Sequence, residues 1–328
     1  MKHIGISGGH YYVPDRIVTN EDITQLTDTS NEWIIARTGI EQRRISTGEN
    51  TSELCAKTAA RILESTGTDP EEIDIIITAT VSPDYLLPST ACLVQSRIGA
   101  RNAFAFDLGA ACSGFVYALA VGEKLMRAGA YNKALILGGE TLSKLTNWED
   151  RATCVIFADG AGGVLLEAGE RESFLAEDIH SDGDRGMSLT AGHMKVDNPF
   201  LPEGGGVEPG YPYISMDGRE IFDFTMRNVP GSIKNVVEKA GIGFEDLKYI
   251  IPHQANDRIS LGIAKKLGVD PSVFYRNISR YGNTSAGTIP IALGEMFTKG
   301  LLEAGRGDKI ILAGFGGGLT WGSLLIQI

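Results

Sequence analysis

Positive charge is what this chain most plainly lacks: 30 Lys and Arg stand against 41 Asp and Glu, a formal net charge of −11. Nucleic-acid binding rests on clustered cations that neutralise phosphates, so the balance argues against DNA or RNA as a partner. It also means that an acidic partner must be met by a local basic island. Cysteine is scarce. Cys55, Cys92, Cys112 and Cys154 show no C-x-x-C spacing and are too few for a disulfide framework, which points to a reducing cytoplasm. No group of His, Cys and Asp has the spacing of metal ligands, so no metal site is expected. Long apolar runs are missing as well. None approaches the ~18–20 residues of a membrane span, and the opening stretch MKHIGISGGHYYVPDR has no apolar core of signal-peptide length.

What is present is alternation and repetition. The 328 residues, 43% hydrophobic, suffice for one large domain or two ordinary ones. Apolar strand-like runs alternate with amphipathic helical stretches throughout, the pattern of an α/β fold, and 41 glycines suit its tight strand–helix turns. EEIDIIITAT from Glu71 is echoed by EDLKYIIPHQ from Glu245, and KALILGG from Lys133 by KIILAG from Lys309, at offsets of 174 and 176 residues. AACSG at 110–114 has a counterpart about 172 positions later in Gly282-Asn283-Thr284-Ser285. Buried parallel strands resemble one another in composition, but three matches at nearly one offset predict an internal duplication. The halves divide near residue 170, into 1–170 and 171–328. In such a fold equivalent strand ends meet, so each half can bring different chemistry to one site. Between His193 and Gly218 a Gly- and Pro-rich stretch with little periodicity reads as an ordered insertion or a flap over a site.

The most informative segment is AFAFDLGAACSGFVYA, residues 103–118. It predicts a strand over Ala103–Phe106, a turn of small residues, and a helix from about Gly114 that Gly129 stops. A thiol at Cys112 then sits at the positive end of a helix, where unpaired N–H groups favour an anion. Such a position lowers a cysteine pKa from about 8.5 to roughly 3.5–7.5. The other reading is a buried, inert cysteine. His253 follows Tyr249-Ile250-Ile251 and Pro252, and of the five histidines only it occupies a strand end before a helix. Asn283 stands in RYGNTSAG, again between an extended run and a helix, although Asn-Thr-Ser is also an ordinary helix cap. Cys, His and Asn occur in this order in papain-like proteases, but the C-G-[SA]-C-[WY] pattern is missing. AACSG also lacks the first glycine of a hydrolase elbow. Neither hydrolase explains a repeat.

AACSGF, PHQANDRI, GNTSAGTIP and GFGGGLTWGS, with TSNEWIIARTGI at Thr29–Ile40 and DRATCVIFADGAG from Asp150, resemble the β-ketoacyl-acyl-carrier-protein synthase III family of the thiolase-like superfamily. The resemblance runs from the first strand to the last, interrupted mainly at 193–214. It implies a duplicated five-layer αβαβα fold with mixed sheets and a homodimer. It implies a decarboxylative condensation of an acyl-CoA primer with malonyl-acyl carrier protein, the step that starts fatty-acid synthesis, with no cofactor. The Cys112 thiolate would take the acyl group. Backbone N–H groups of Cys112 and Gly317 would hold the tetrahedral oxyanion. His253 and Asn283, as neutral donors, would hold the enolate left when CO₂ departs. Related thiolases use a second cysteine as base and hydroxymethylglutaryl-CoA synthases a glutamate; Cys55, Cys92 and Cys154 lie outside the matched turns.

The same resemblance implies a CoA site. Trp33 and Arg151 match a pair that sandwiches the adenine ring, Thr29 a further adenine-side position, and Arg37 the diphosphate contact. Ile156, Gly218, Phe222 and Asn256 match residues along the phosphopantetheine arm. Arg258, Lys265 and Lys266 form a basic stretch after His253 suited to an acidic carrier protein; Arg258 and Lys265, seven apart, share a helix face. Asp223 departs from members that carry a lysine in that patch. Leu87 stands where acetyl-preferring members often have a phenylalanine that crosses the dimer interface into the acyl pocket, so a longer or branched primer is expected.

Overall fold

The computed structural model describes all residues except 1, 130 and 202–210. Its first half runs β1 (His3–Tyr12), β2 (Ile17–Thr19), α1 (Asn20–Thr24), α2 (Asn31–Thr38), β3 (Gln42–Arg44), α3 (Thr51–Thr66), β4 (Ile75–Ala79), α4 (Thr90–Ile98), β5 (Phe104–Leu108), α5 (Gly114–Ala128), β6 (Lys133–Thr141), α6 (Arg151–Cys154) and β7 (Asp159–Gly169). There follow β8 (Phe174–Ser181), β9 (Leu189–Thr190), β10 (Ser215–Met216), α7 (Gly218–Ala240), β11 (Leu247–Pro252), α8 (Asp257–Leu267), α9 (Ile278–Tyr281), α10 (Thr288–Thr298), β12 (Lys309–Gly316) and β13 (Thr320–Gln327).

Local chemistry sets the ends of these elements. The Asn50 side chain caps α3 while Glu53 reaches back to the Asn50 N–H, and Gly67 stops the helix in a left-handed conformation. Ile75–Ala79 is buried throughout, as a strand with helices on both faces must be. The strand at the cysteine turn spans Phe104–Leu108, two residues beyond the expected end at Phe106.

Two mixed sheets result. The first has the order β1-β7-β6-β4-β5 and the second β8-β13-β12-β11. In each, the inner strands run parallel (β4 with β5 and β6, β11 with β12) and the hairpin partner antiparallel. The orders correspond strand for strand. The place of β5 is taken in the second sheet by a single bridge between Ile250 and Phe274.

Packing gives five layers. Phe115 and Leu119 of α5 and Ile289 and Leu293 of α10 share one core with Ile77 and Ile136 of the first sheet and Leu312 and Leu324 of the second. α3 and α4 cover the outer face of the first sheet through Leu54, Ile62 and Val94. α7 and α8 cover that of the second through Ile233 and Ile263. The fold is the thiolase-like αβαβα arrangement. The central layer is tight: a Cβ at Gly162 of β7 would lie 2.3 Å from the Ile291 nitrogen, so any side chain there pushes α10 off the sheet.

Two regions refine the sequence reading. The short 3₁₀ turns Ala111–Ser113 and Ser285–Gly287 lead into α5 and α10, which sets the turn register at 174 residues rather than about 172. The Gly- and Pro-rich stretch leaves β9 and returns through β10, which pair antiparallel. Its middle, 202–210, lies outside the described residues, so the expectation of a flap there is not addressed.

Candidate active site

Cys112 sits in a strained elbow. β5 ends at Leu108, and the chain enters α5 through the turn Ala111–Ser113, with Ala111 in the left-handed region at φ 46°. Ser285, at the same place in the turn before α10, has φ 48°. Non-glycine residues there cost of order 1 kcal/mol and persist only where the surroundings hold them. The holders are visible. The Ser113 hydroxyl donates to the Thr320 carbonyl at 3.0 Å, the Thr320 hydroxyl reaches the Ala110 carbonyl at 3.2 Å, and the two turns pack on each other. Gly316 of β12 lies directly against Cys112, where a Cβ would come within 2.6 Å of the Cys112 Cβ and 3.1 Å of its Sγ. Gly317 follows and abuts Ala111 and Leu189.

The thiol is 6% exposed. Burial pushes it up to about 12, opposed by a hydrogen bond to the Ser285 hydroxyl. The depressed pKa expected from the helix end is therefore overturned for the resting protein. The sequence shows the helix terminus but not the enclosure by Gly316 and Ser285, and loss of solvation penalises the thiolate more than the helix end favours it.

His253 and Asn283 arrive from the second half. The His253 N–H donates to the Ala313 carbonyl at 2.8 Å, its ring meets Phe315 edge-on at 5.1 Å, and its Nδ1 lies 2.7 Å from the Thr288 hydroxyl. Burial alone pulls the imidazole down to about 3, so it is neutral at physiological pH. Asn283 accepts the Ser285 N–H through Oδ1 at 2.8 Å, which fixes the amide and leaves Nδ2 to donate. Its backbone is pinned on both sides, donating to the Ile156 carbonyl and accepting from Ala158.

These three side chains line one cavity of about 140 Å³, together with Ile156, Gly218, Phe222 and Asn256. Met216 and Leu189, from the β9–β10 pair, close another wall. A larger cleft of about 850 Å³ opens between Glu167–Ser173 and Ala304–Gly307, but its lining contains neither cysteine nor histidine. Convergence of chemistry, not size, singles out the smaller cavity. Among the described residues no group of three or more His, Cys, Asp or Glu is placed to hold a metal ion.

Comparison with known proteins agrees with this geometry. The family described as 3-oxoacyl-[acyl-carrier-protein] synthase III matches residues 106–183, and its C-terminal counterpart matches residues 237–328. A β-ketoacyl-[acyl-carrier-protein] synthase III of Streptococcus equi subsp. zooepidemicus is 51% identical over 323 residues, 98% of either chain. That of Streptococcus mutans is 50% identical over the full length of both. The crystal structure of 3-oxoacyl-[acyl-carrier-protein] synthase III from Aquifex aeolicus superposes with a TM-score of 0.90 at 40% identity, covering 99% of this chain and 100% of the other. The chain belongs to the β-ketoacyl-acyl-carrier-protein synthase III family.

Of the residues expected from this family, Trp33, Arg37 and Arg151 cluster with one another, and Ile156, Gly218, Phe222 and Asn256 line the cavity. Arg151 stacks over the Trp33 ring with Cζ 5.1 Å from its centre, and Arg37 approaches the same ring at 5.7 Å. The Arg151 guanidinium also donates to the Asp28 carbonyl at 2.9 Å. The buried Thr29 hydroxyl beside it has no hydrogen-bond partner among the described residues. Asn256 is heavily committed: Oδ1 caps α8 through the Arg258 N–H, and Nδ2 donates to the Arg37 carbonyl. It ties the α8 terminus to α2 as well as lining the cavity.

Arg258 and Lys265 are exposed on α8, whereas Lys266 donates to the Met226 carbonyl of α7 at 2.9 Å. The basic stretch is thus partly tethered. Arg227, next to Met226 and exposed like Asp223 one turn earlier, adds a cation that the α8 sequence does not reveal. Leu87 does not reach the cavity of its own chain; it is 87% exposed, on a loop with Tyr85 at 61% and Leu86 at 77%. Sequence reasoning also missed Gly316, Ser285, Thr288 and the buried Glu140. That carboxylate accepts from Thr80, Val81 and Ser82, and burial raises it to about 7. The run GFGGG advertised close approach, but not which glycine makes it.

Proposed function

We propose that Cys112 carries the acyl group through the condensation of an acyl-CoA primer with malonyl-acyl carrier protein. The observation that carries this reading is the convergence of Cys112, His253 and Asn283, from two different sheets, on one enclosed cavity. In the first step Sγ attacks the thioester carbonyl, the C–S bond to CoA breaks, and the thiol proton leaves with the CoA sulfur. The exchange is neutral in protons overall, so a thiol that burial keeps protonated is no obstacle. The N–H groups of Cys112 and Gly317 hold the tetrahedral oxyanion. In the second step malonyl-carrier protein loses CO₂, the enolate oxygen meets donors from Asn283 and His253, and the carbanion attacks the acyl carbonyl. The C–S bond to Cys112 then breaks and the departing thiolate takes up a proton from solvent, the one proton the condensation consumes. No redox or metal group enters these steps.

The CoA moiety would run from Trp33, Thr29, Arg37 and Arg151 past Ile156, Gly218, Phe222 and Asn256. Arg258, Lys265 and Lys266 would meet the acidic carrier protein on a chain otherwise of charge −11. The corresponding strand orders support two halves, 1–170 bearing the nucleophile and 171–328 bearing the donors. A homodimer is supported by the β5 edge, the last strand of its sheet, beside the exposed Tyr85, Leu86, Leu87 and Phe104. A second copy seated there covers this apolar face and can bring its Leu87 to the acyl end of the cavity. Four free thiols suit a reducing cytoplasm.

Intact-mass measurement after mixing with acetyl-CoA tests the reading: an acyl adduct must form and must vanish in Cys112→Ala. Release of CO₂ from malonyl-carrier protein must be lost in His253→Ala. An unmodified Cys112, or an undiminished CO₂ release, would sink it. A panel of acyl-CoA primers tests Leu87: strong preference for acetyl over branched four- and five-carbon primers would reject the longer-primer expectation.

A further inference from the structure

We infer that Thr288 holds His253 in the tautomer that carries its proton on Nε2, so that the ring donates into the cavity. This deepens the reading above and rests on it, because a donor is needed there only if an enolate forms beside Asn283. The Thr288 hydroxyl has one proton and two neighbours: His253 Nδ1 at 2.7 Å and the Ser285 carbonyl at 3.0 Å. That carbonyl already accepts the Thr288 backbone N–H, so its pairing does not depend on the hydroxyl. Nδ1 is enclosed and has no other hydrogen-bond partner among the described residues, and an unpaired buried nitrogen is costly.

Position in the helix points the same way. Thr288 is the first residue of α10, at the end where free N–H groups create positive potential. A ring nitrogen facing that end is favoured as a lone pair and disfavoured as an N–H. Thr288 therefore donates and Nδ1 accepts, and the single proton of a neutral imidazole rests on Nε2. Asn283 Nδ2, freed by the fixed amide, supplies the second donor. With the proton on Nδ1, the enolate oxygen would face a lone pair. Thr288 touches no reacting atom; it is a positioning residue, and its hydroxyl rather than its shape is what matters.

Thr288→Val keeps the branched shape and removes the hydroxyl, whereas Thr288→Ser keeps the hydroxyl. Two half-reactions separate the roles: acylation of Cys112 by acetyl-CoA, read by intact mass, and CO₂ release from malonyl-carrier protein by the acylated enzyme. Thr288→Val should lower CO₂ release about 100-fold, the low end of the range for losing one aimed donor, and leave acylation within about threefold. Thr288→Ser should restore CO₂ release to within about threefold. In the unaltered protein labelled with ¹⁵N-histidine, the signal absent from His253→Ala should show a protonated Nε2 and a bare Nδ1. A protonated Nδ1, undiminished CO₂ release in Thr288→Val, equal loss of both half-reactions, or failure of serine to rescue would each overturn the assignment. Retained CO₂ release in His253→Ala would overturn the underlying mechanism instead, while the ring signals still decide the tautomer.

Discussion

Lowering the pH from 8 to 5 should cost this protein about 2 kcal/mol of stability through His253 alone. In the unfolded chain its imidazole titrates near 6.5, and in the folded protein burial, the sole cause acting on it, holds it down to about 3. The folded pKa is depressed, so the unfolded state takes up the proton first. The stability contribution is complete above about 6.5 and falls by about 1.4 kcal/mol for each pH unit below that, until about 3. At pH 5, 1.5 units below, the loss is about 2 kcal/mol, a large share of the 5–15 kcal/mol of an ordinary domain. The assay is urea unfolding of the protein and of His253→Asn at pH 8, 6.5 and 5. Subtracting one pH dependence from the other cancels the remaining histidines and carboxylates. The variant should lose about 2 kcal/mol less than the parent over this range. Parallel curves would show that His253 titrates alike in both states, and a greater loss in the variant would show a stabilised imidazolium; either refutes the neutral ring on which the donor role depends.

Gly316→Ala places a methyl 2.6 Å from the Cys112 Cβ and 3.0 Å from its nitrogen; acylation by acetyl-CoA, followed by mass, should slow about a hundredfold, the scale of an ångström-sized misplacement, and a rate within threefold of the parent would refute the contact. Glu295, 1% exposed at its side chain, is pushed up by burial but pulled down further by Arg280, Lys299, Asn277 and Tyr275, to about 2. Its stabilisation is present above about 4.5 and is lost as the pH falls toward 2, so Glu295→Gln should cost about 3 kcal/mol at pH 7 and progressively less in acid, as read by urea unfolding. Trp33→Ala should raise KM for acyl-CoA about tenfold with kcat within twofold, the mark of a contact made equally before and during reaction; an unchanged KM would remove the ring from the CoA path.

The alternation of strands and helices was legible because it depends on short-range spacing, the repeat because its offset is nearly constant, and the three candidate residues because strand-end position and family resemblance pointed to the same places. Period and turn chemistry locate a strand end, and a duplicated α/β fold brings its strand ends to one place. Burial was not legible, since it sums contacts from segments far apart in the chain. That is why the Cys112 thiol was read from its helix end alone. The enclosing groups, Gly316 and Ser285, stand more than 170 residues away, and they reverse the sign of the expected shift. Leu87 shows the same limit from the other side: its match to a family position said nothing of its exposure, which at 87% leaves it outside the cavity of its own chain. Thr288 was passed over for a different reason. At the first turn of a helix a threonine reads as an ordinary cap, and only the 2.7 Å approach of a ring arriving from residue 253 turns its hydroxyl into a determinant of the chemistry. A residue's type and spacing can therefore nominate a nucleophile or a donor, but the direction of each proton follows from which other group the fold brings to it.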